Sequence, residues 1–315
     1  MNAATWLVTG SNGFVGRHVV RELARDPDIR VVGAGRSPLA KNENLAEYVT
    51  LEPESIDAWV TVFRRFAPAV ILHLAGRTPP ADRATLVRDN VELTRVILLA
   101  LERSAAPVRF VHCGSAAELG DVPCDRLPVA ETFEPNPLTD YGRTKWDATQ
   151  LVLGVKAPIE SVVGRIFNVI GPGQPANQVF GRYAREFLAS GRNRDEPWIV
   201  GGLENRRDFV DVRDTARALI ALGHSGKNGG VYHIGTGSSH SVGEGLAILA
   251  RLAGIHAQFV DDATSAKGPA DSVADIGRIL DDTTWRPNLT FEQSIEALWH
   301  EALRRSASAG ELEPA

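Results

Sequence analysis

Three glycines near the start of the chain restrict its fold more than any other feature. Gly10, Gly13 and Gly16 stand at G-x-x-G-x-x-G spacing in "VTGSNGFVGRHVVREL", after a short apolar run and at the head of an amphipathic stretch. Glycines there permit a tight strand-to-helix turn and let the backbone approach a pyrophosphate, with the helix N-terminus facing the phosphates. Such a pattern is weak by itself. Its place after the first strand of an alternating chain makes it a dinucleotide turn, built from Gly10, Asn12, Gly13, Phe14, Val15 and Gly16.

The alternation continues. Apolar runs at 5–10, 29–35, 69–76, 108–114 and 160–168 read as strands, and stretches near 13–26, 55–67, 82–105 and 139–154 as helices between them. Strands apolar on both faces argue a parallel sheet covered by helices on both sides. The predicted fold class is α/β, a Rossmann-type doubly wound parallel sheet. After Asn168 the rhythm becomes irregular and Gly/Pro-punctuated, with helices near 177–190, 211–224, 242–253 and 290–305 and strands near 198–201, 231–234 and 256–260. Residues 1–167 are assigned to the dinucleotide-binding domain. Residues 168–315 mainly form a smaller substrate-binding α/β domain, with about 206–235 returning to the Rossmann core. The tail "SASAGELEPA" is expected to fray.

At 315 residues and 43% hydrophobic, the chain has ample material for such a core. Its 34 basic and 39 acidic residues give a net charge of −5, with no basic run or stripe for nucleic acid or an anionic membrane. A small anionic ligand needs only a few arginines and a helix N-terminus. Cys113 and Cys124 do not make a disulfide framework, and the histidines and cysteines lack metal-ligand spacing. No apolar run reaches about 18 residues and no basic segment precedes the first one, so the chain is expected to be soluble and cytoplasmic.

Two further stretches carry chemistry. The second strand ends in Gly35-Arg36-Ser37, where NAD-binding folds usually place an acid for the ribose 2′-hydroxyl. Arg36 there favours a 2′-phosphate, hence NADP(H) over NAD(H); the plain alternative is a surface arginine. In "TDYGRTK", Tyr141 and Lys145 are four apart and share a helical face. That spacing fits either an exposed pair or a phenol beside an ammonium that tunes its proton.

Together, "TGSNGFVG", "HLAG", "CGSAAELG" and "YGRTK" resemble the extended short-chain dehydrogenase/reductase superfamily, in its nucleotide-sugar branch of epimerases, dehydratases and ketoreductases. The similarity continues through "GRIFNVIGPGQ", "ENRRDFVDVRDTARAL", "GGVYHIGTGSSHSVGE" and "TTWRPNLTFEQSI", almost to the end of the chain. Within the branch the chain looks closest to GDP-4-keto-6-deoxy-mannose reductases and related sugar 4-ketoreductases. The resemblance implies that Tyr141 exchanges a proton with a sugar oxygen while hydride moves at the same carbon. It implies that Lys145 and the positive nicotinamide of the oxidised cofactor together lower the phenol pKa, that Lys145 bonds the nicotinamide ribose, and that Ser115 contacts the same sugar oxygen. Leu74, Ala75 and Gly76 would line the cofactor. Asn168 would stand near the sugar diphosphate and Arg207 would grip it, with Arg206 as an exposed neighbour and Asp208 as a turn partner. His112 is read as a packed histidine. The family's second substrate arginine is not evident, and Lys267 is its one substitute; the aspartate expected near the adenine is not evident in "EYVTLEPES". Helices near 82–105 and 139–154 often pair two copies in relatives, so a homodimer is expected.

The residues after Ser115 bear on the reaction. Dehydratases of the branch place a proton-transferring acid there, whereas this chain has Ala116 and Ala117. Glu118 falls one place beyond, where strand alternation aims it elsewhere. A ketoreductase acting on a nucleoside-diphosphate-linked 4-keto-6-deoxy sugar is therefore the leading reading. A 4-epimerase with retained NAD needs the same three residues and stays open. So does a redox-silent NADP sensor or scaffold, although such members usually lose the tyrosine or lysine.

Overall fold

The computed structural model describes residues 3–38, 42–190, 197–262 and 268–310. β1 (Ala4–Thr9) leads through the glycine turn into α1 (Phe14–Leu23), followed by β2 (Ile29–Gly35), β3 (Glu47–Thr50), α2 (Ile56–Phe66) and β4 (Val70–His73). α3 (Arg83–Leu86), a π-helical turn at Val87–Glu92 and α4 (Leu93–Ser104) run on as one helix. β5 (Val108–Ser115), α5 (Asp140–Leu153) and β6 (Ile159–Ile166) complete the first half. The second half carries β7 (Asn168–Ile170), α6 (Val179–Ser190), β8 (Trp198–Val200), β9 (Arg206–Arg207), β10 (Phe209–Asp211), α7 (Val212–Ser225) and β11 (Gly230–Ile234). It ends with β12 (His240–Ser241), α8 (Val242–Ala253), β13 (Phe259–Asp261), α9 (Gly277–Asp282) and α10 (Phe291–Gly310).

Seven strands form one sheet in the order β11-β6-β5-β4-β1-β2-β3, with every pairing parallel. The molecule is therefore an α/β fold of Rossmann type. Side-chain alternation along β1 shows why the sheet needs two helical layers. Trp6 and Val8 pack with Val20, Leu219 and Leu222 on the α1 and α7 side, while Leu7 packs with Trp59, Phe63 and Leu101 on the α2 and α4 side. Each such side chain contributes about 1.5–3 kcal/mol when fully buried. The chain leaves β1 in opposite directions toward β2 and β4, which opens a crevice at their carboxyl ends, where ligands bind in such sheets.

A third apolar cluster lies wholly in the second half: Phe180, Tyr183 and Phe187 of α6 with Trp198, Leu246, Leu249, Ile295 and Trp299. There the structure departs most from the sequence reading. The run at 160–168 divides into β6 and β7, and β7 leaves the main sheet to pair with β10. The strand expected at 256–260 starts only at Phe259, α9 was not anticipated, and α10 continues past Arg305 to Gly310 instead of fraying. The tail beyond Gly310 lies outside the described residues. No described helix is long and apolar enough to cross a membrane.

Candidate active site

The glycine turn is built as its spacing requires. Gly10 has φ +67°, and a Cβ on it would meet the Ala75 backbone at 2.7–2.8 Å; a side chain on Gly16 would collide with the Gly10 carbonyl oxygen. Among the described residues α1 has no side-chain cap, so its first N–H groups are free to hold an anion. Gly10, Gly13, Phe14, Val15 and Gly16 form one wall of a cleft of about 580 Å³, and Leu74, Ala75 and Gly76 another. A bare glycine wall with an uncapped helix end fits a dinucleotide pyrophosphate.

Buried polar side chains fix the loop after β4. Asn90, turned inward on the π-helical segment, accepts from the Arg77 N–H at 2.7 Å and donates to the Arg77 carbonyl at 3.1 Å and to Thr144 Oγ1 at 3.0 Å. Thr9 Oγ1 accepts from the Ala75 N–H at 3.2 Å and meets His73 Nδ1 at 2.8 Å; His73 Nε2 lies 3.0 Å from Thr94 Oγ1. Burial pushes the His73 imidazole down to about 3, so it is neutral in this network.

Ser115, Tyr141 and Lys145 meet in the same cleft. Ser115 is the last residue of β5, and its side chain and the Tyr141 phenol face the same cleft. The Thr139 side chain caps α5 by accepting from the Gly142 N–H at 3.0 Å, which fixes the first turn where Tyr141 sits. Lys145, one turn on, is only 7% exposed. Its charge acts on His73, His112 and Cys113. Burial dominates at Tyr141 and holds the phenol above its ordinary value, offset only in part by Ser115. His112 is fully buried and kept neutral by the same desolvation. Glu118 does not line the cleft; it lies beneath it, bonded to the Ser115 N–H.

Asn168, at the head of β7, also lines the cleft. The remaining assigned residues stand apart from this lining. Asn12 and Ser37 gather at Tyr48, whose hydroxyl lies 3.5 Å from Asn12 Nδ2 and donates to the Ser37 carbonyl at 3.0 Å. Arg36 points to Asp89 at 3.4 Å, and Arg77 and Arg88 reach the same carboxylate at 3.1 and 2.8 Å. Burial raises the Asp89 carboxyl, but hydrogen bonds from Arg88 and Arg77 and the charge of Arg36 bring it below its ordinary value. Arg207 is half-buried on β9, its Nη1 donating to the carbonyls of Arg206 at 2.7 Å and Pro269 at 2.6 Å. Asp208 is a structural turn partner, accepting from the N–H groups of Thr236, Gly237 and Ala274. Lys267 lies outside the described residues.

The cleft also includes residues the sequence reading passed over, among them Arg77, Asn90, Gln178 and Phe209. Asn90 sits in the π-helical segment and Gln178 immediately before α6, with no local feature to mark them. Phe209 could have been suspected from its place two residues after Arg207.

A model of the NAD dependent epimerase/dehydratase family matches residues 6–235. The GDP-6-deoxy-D-mannose reductase of Pseudomonas aeruginosa is 32% identical over 313 residues, an alignment covering 94% of this chain and 97% of that protein. The dTDP-6-deoxy-L-talose 4-dehydrogenase (NAD(P)(+)) of Kitasatospora kifunensis is 26% identical, with 93% of each chain covered. Among solved structures, RMD from Pseudomonas aeruginosa complexed with NADPH matches with a TM-score of 0.83 at 28% identity, covering 96% of this chain and all of that one. A glycine turn at the mouth of the parallel sheet, a serine, a tyrosine and a lysine gathered in the cleft it opens, and relatives aligned along nearly the whole length lead to one conclusion: the chain belongs to the NAD dependent epimerase/dehydratase family, the extended short-chain dehydrogenases/reductases.

Proposed function

We propose that this protein is an NADPH-dependent reductase of a 4-keto-6-deoxy sugar carried on a nucleoside diphosphate. The observation that carries the reading is the convergence of Ser115, Tyr141 and buried Lys145 in the cleft that the glycine turn opens. When bound, the nicotinamide supplies the hydride. Tyr141, protonated because its hydroxyl is buried, gives its proton to the carbonyl oxygen as that oxygen becomes an alcohol. Ser115 donates a hydrogen bond to the same oxygen and holds the ketone in line. Lys145 stabilises the phenolate left behind and would bond the nicotinamide ribose. Ala116 and Ala117 carry no proton-transferring group, and Glu118 is turned away, so the elimination chemistry of a dehydratase lacks its acid and base.

The cofactor preference rests on Arg36. Together with Arg77 and Arg88 it places three positive charges around one carboxylate beside the end of β2, a setting that attracts a 2′-phosphate. The Pseudomonas aeruginosa RMD structure, complexed with NADPH, supports this choice; NAD(H) is the alternative. In this reading residues 168–315 supply most of the substrate lobe. Asn168 meets the diphosphate from within the cleft, and Arg207 approaches it from β9, two residues before the cleft-lining Phe209. The helix at 83–104 and α5 would pair two copies; Leu99 is exposed on α4.

NADPH oxidation measured against a panel of nucleotide-linked keto sugars tests the reading. Consumption confined to 4-keto-6-deoxy sugars supports it. Binding of NADPH with no consumption on any of them would favour the sensor.

A further inference from the structure

Glu118 is completely buried, and a carboxylate so placed costs several kcal/mol unless it is paired and bonded. Here both oxygens are engaged. Oε1 accepts from the Ser115 N–H at 2.7 Å and from Thr149 Oγ1 at 3.2 Å; Oε2 accepts from Arg165 Nε at 3.1 Å. Arg165, a residue of β6, is itself only 2% exposed. Its Nη1 lies 3.2 Å from His233 Nε2. Burial keeps His233 neutral, its pKa lowered to about 3, so Nε2 takes the arginine hydrogen and Nδ1 donates to the Val129 carbonyl at 3.0 Å. Val129 in turn bridges to Ala274 of the second half.

The partners on Oε1 are the informative ones. Ser115 ends β5, whereas Thr149 stands on α5 one turn beyond Lys145 and two beyond Tyr141. One oxygen atom thus ties the strand that presents the serine to the helix that presents the tyrosine and lysine.

We propose that Glu118 is a positioning residue for the Ser115–Tyr141–Lys145 group: braced by Arg165, its carboxylate fixes the end of β5 against α5, so that Ser115 is held toward the cleft that Tyr141 and Lys145 line. The proposal rests on the functional reading of those three residues but not on the identity of the sugar. An amide cannot replace the carboxylate. Its oxygen would face either Ser115 and Thr149 or Arg165, and its NH₂ would then confront a donor on the other side.

The test is a double-mutant cycle of Glu118→Gln with Ser115→Ala. Glu118→Gln should lower kcat roughly 10-fold or more, because about an ångström of misplacement can cost up to 10²-fold. KM and the NADPH Kd should stay within about 2-fold, and in the Ser115→Ala background the same change should cost no more than about 2-fold. An unchanged kcat overturns the proposal, as do losses that multiply in the double variant or run parallel with lost NADPH binding. Should Glu118→Gln fail to fold, Thr149→Val decides by the same criteria, since it removes the α5 anchor and leaves the ion pair intact. A second arm needs no substrate. With ¹³Cζ-labelled tyrosine, assigned through Tyr141→Phe, Glu118→Gln and Ser115→Ala should move the Tyr141 resonance in the same direction. An unmoved resonance in Glu118→Gln overturns the positioning role even if no keto sugar is ever reduced.

Discussion

The Ser115 side chain, at the carboxyl end of β5, faces the same cleft as the Tyr141 phenol in the first turn of α5. Strand and helix are separated in sequence by a long loop, and these two residues are where they converge on the cleft. A serine and a tyrosine held together there can share one substrate oxygen, one by hydrogen bond and one by proton transfer.

Removing the phenolic hydroxyl should remove the proton donor and little else. Tyr141→Phe is expected to lower turnover by about 10²–10⁴-fold, with NADPH binding nearly unchanged in a fluorescence titration. Lys145→Ala should weaken both binding and turnover. Near-normal turnover in Tyr141→Phe would refute the donor assignment.

Burial sets the pH dependence of that donor. The phenol lies above its ordinary value near 10 because it is desolvated, with Ser115 offsetting part of the shift. A raised pKa extends the protonated, donating form to higher pH. The kcat/KM of reduction should therefore stay level between about pH 7 and 9. A decline through an apparent pKa near 7 that disappears in Tyr141→Phe would mean that the free enzyme holds phenolate.

Much of the architecture was legible because sterics dictate it locally. Only glycine fits the close approach of the Ala75 backbone at Gly10, where φ is also positive, and of the Gly10 carbonyl at Gly16, and short apolar runs such as "VILH" within the strand–helix alternation fit strands covered on both faces. What could not be read is what distant residues do to one another. The carboxylate of Asp89 draws Arg36 and Arg77 from other parts of the chain, and the π-helical turn that buries both Asp89 and Asn90 has no mark in the hydrophobic period. Tyr141 and Lys145 were legible as a pair. The burial that raises the phenol pKa was not, because spacing does not reveal it. Glu118 was rightly read as facing away from the cleft, but its hold on Thr149 and Arg165 needed the fold.

Arg36 should discriminate between the two cofactors. A lost charge-assisted bond is worth about 1.5–3 kcal/mol, so Arg36→Ala should weaken NADPH about 10-fold or more and leave NADH unchanged. Equal affinities for NADPH and NADH in the unaltered protein would remove the preference from the account.

Three buried neutral histidines should make the fold acid-sensitive. The pKa values of His73 and His233 are depressed to about 3, and His112 also lies well below its ordinary value, each chiefly through burial. Below about pH 6.5 the unfolded chain binds protons that the folded state refuses, so stability falls with pH at up to about 1.4 kcal/mol per histidine per pH unit. Both nitrogens of His112 are buried without a hydrogen-bond partner. Urea denaturation of His112→Leu and the parent chain between pH 7 and 5 should therefore show a stability difference that shifts in favour of the variant as pH drops. A difference that does not change with pH would mean that the His112 pKa is the same in the folded and unfolded chain, and one that shifts in favour of the parent would mean that His112 is charged in the fold.

The central claim is one-way reduction at a sugar carbonyl by the Ser115–Tyr141–Lys145 group, and product analysis tests it most directly. The protein is mixed with NADPH and a nucleotide-linked 4-keto-6-deoxy sugar, and loss of nicotinamide absorbance is followed alongside the NMR spectrum of the sugar. The account predicts one NADPH consumed for each ketone lost, a single 4-hydroxy epimer formed, and neither event with Tyr141→Phe. Interconversion of 4-hydroxy epimers with no net loss of NADPH, and no reduction of the keto sugar, would contradict it and identify an epimerase.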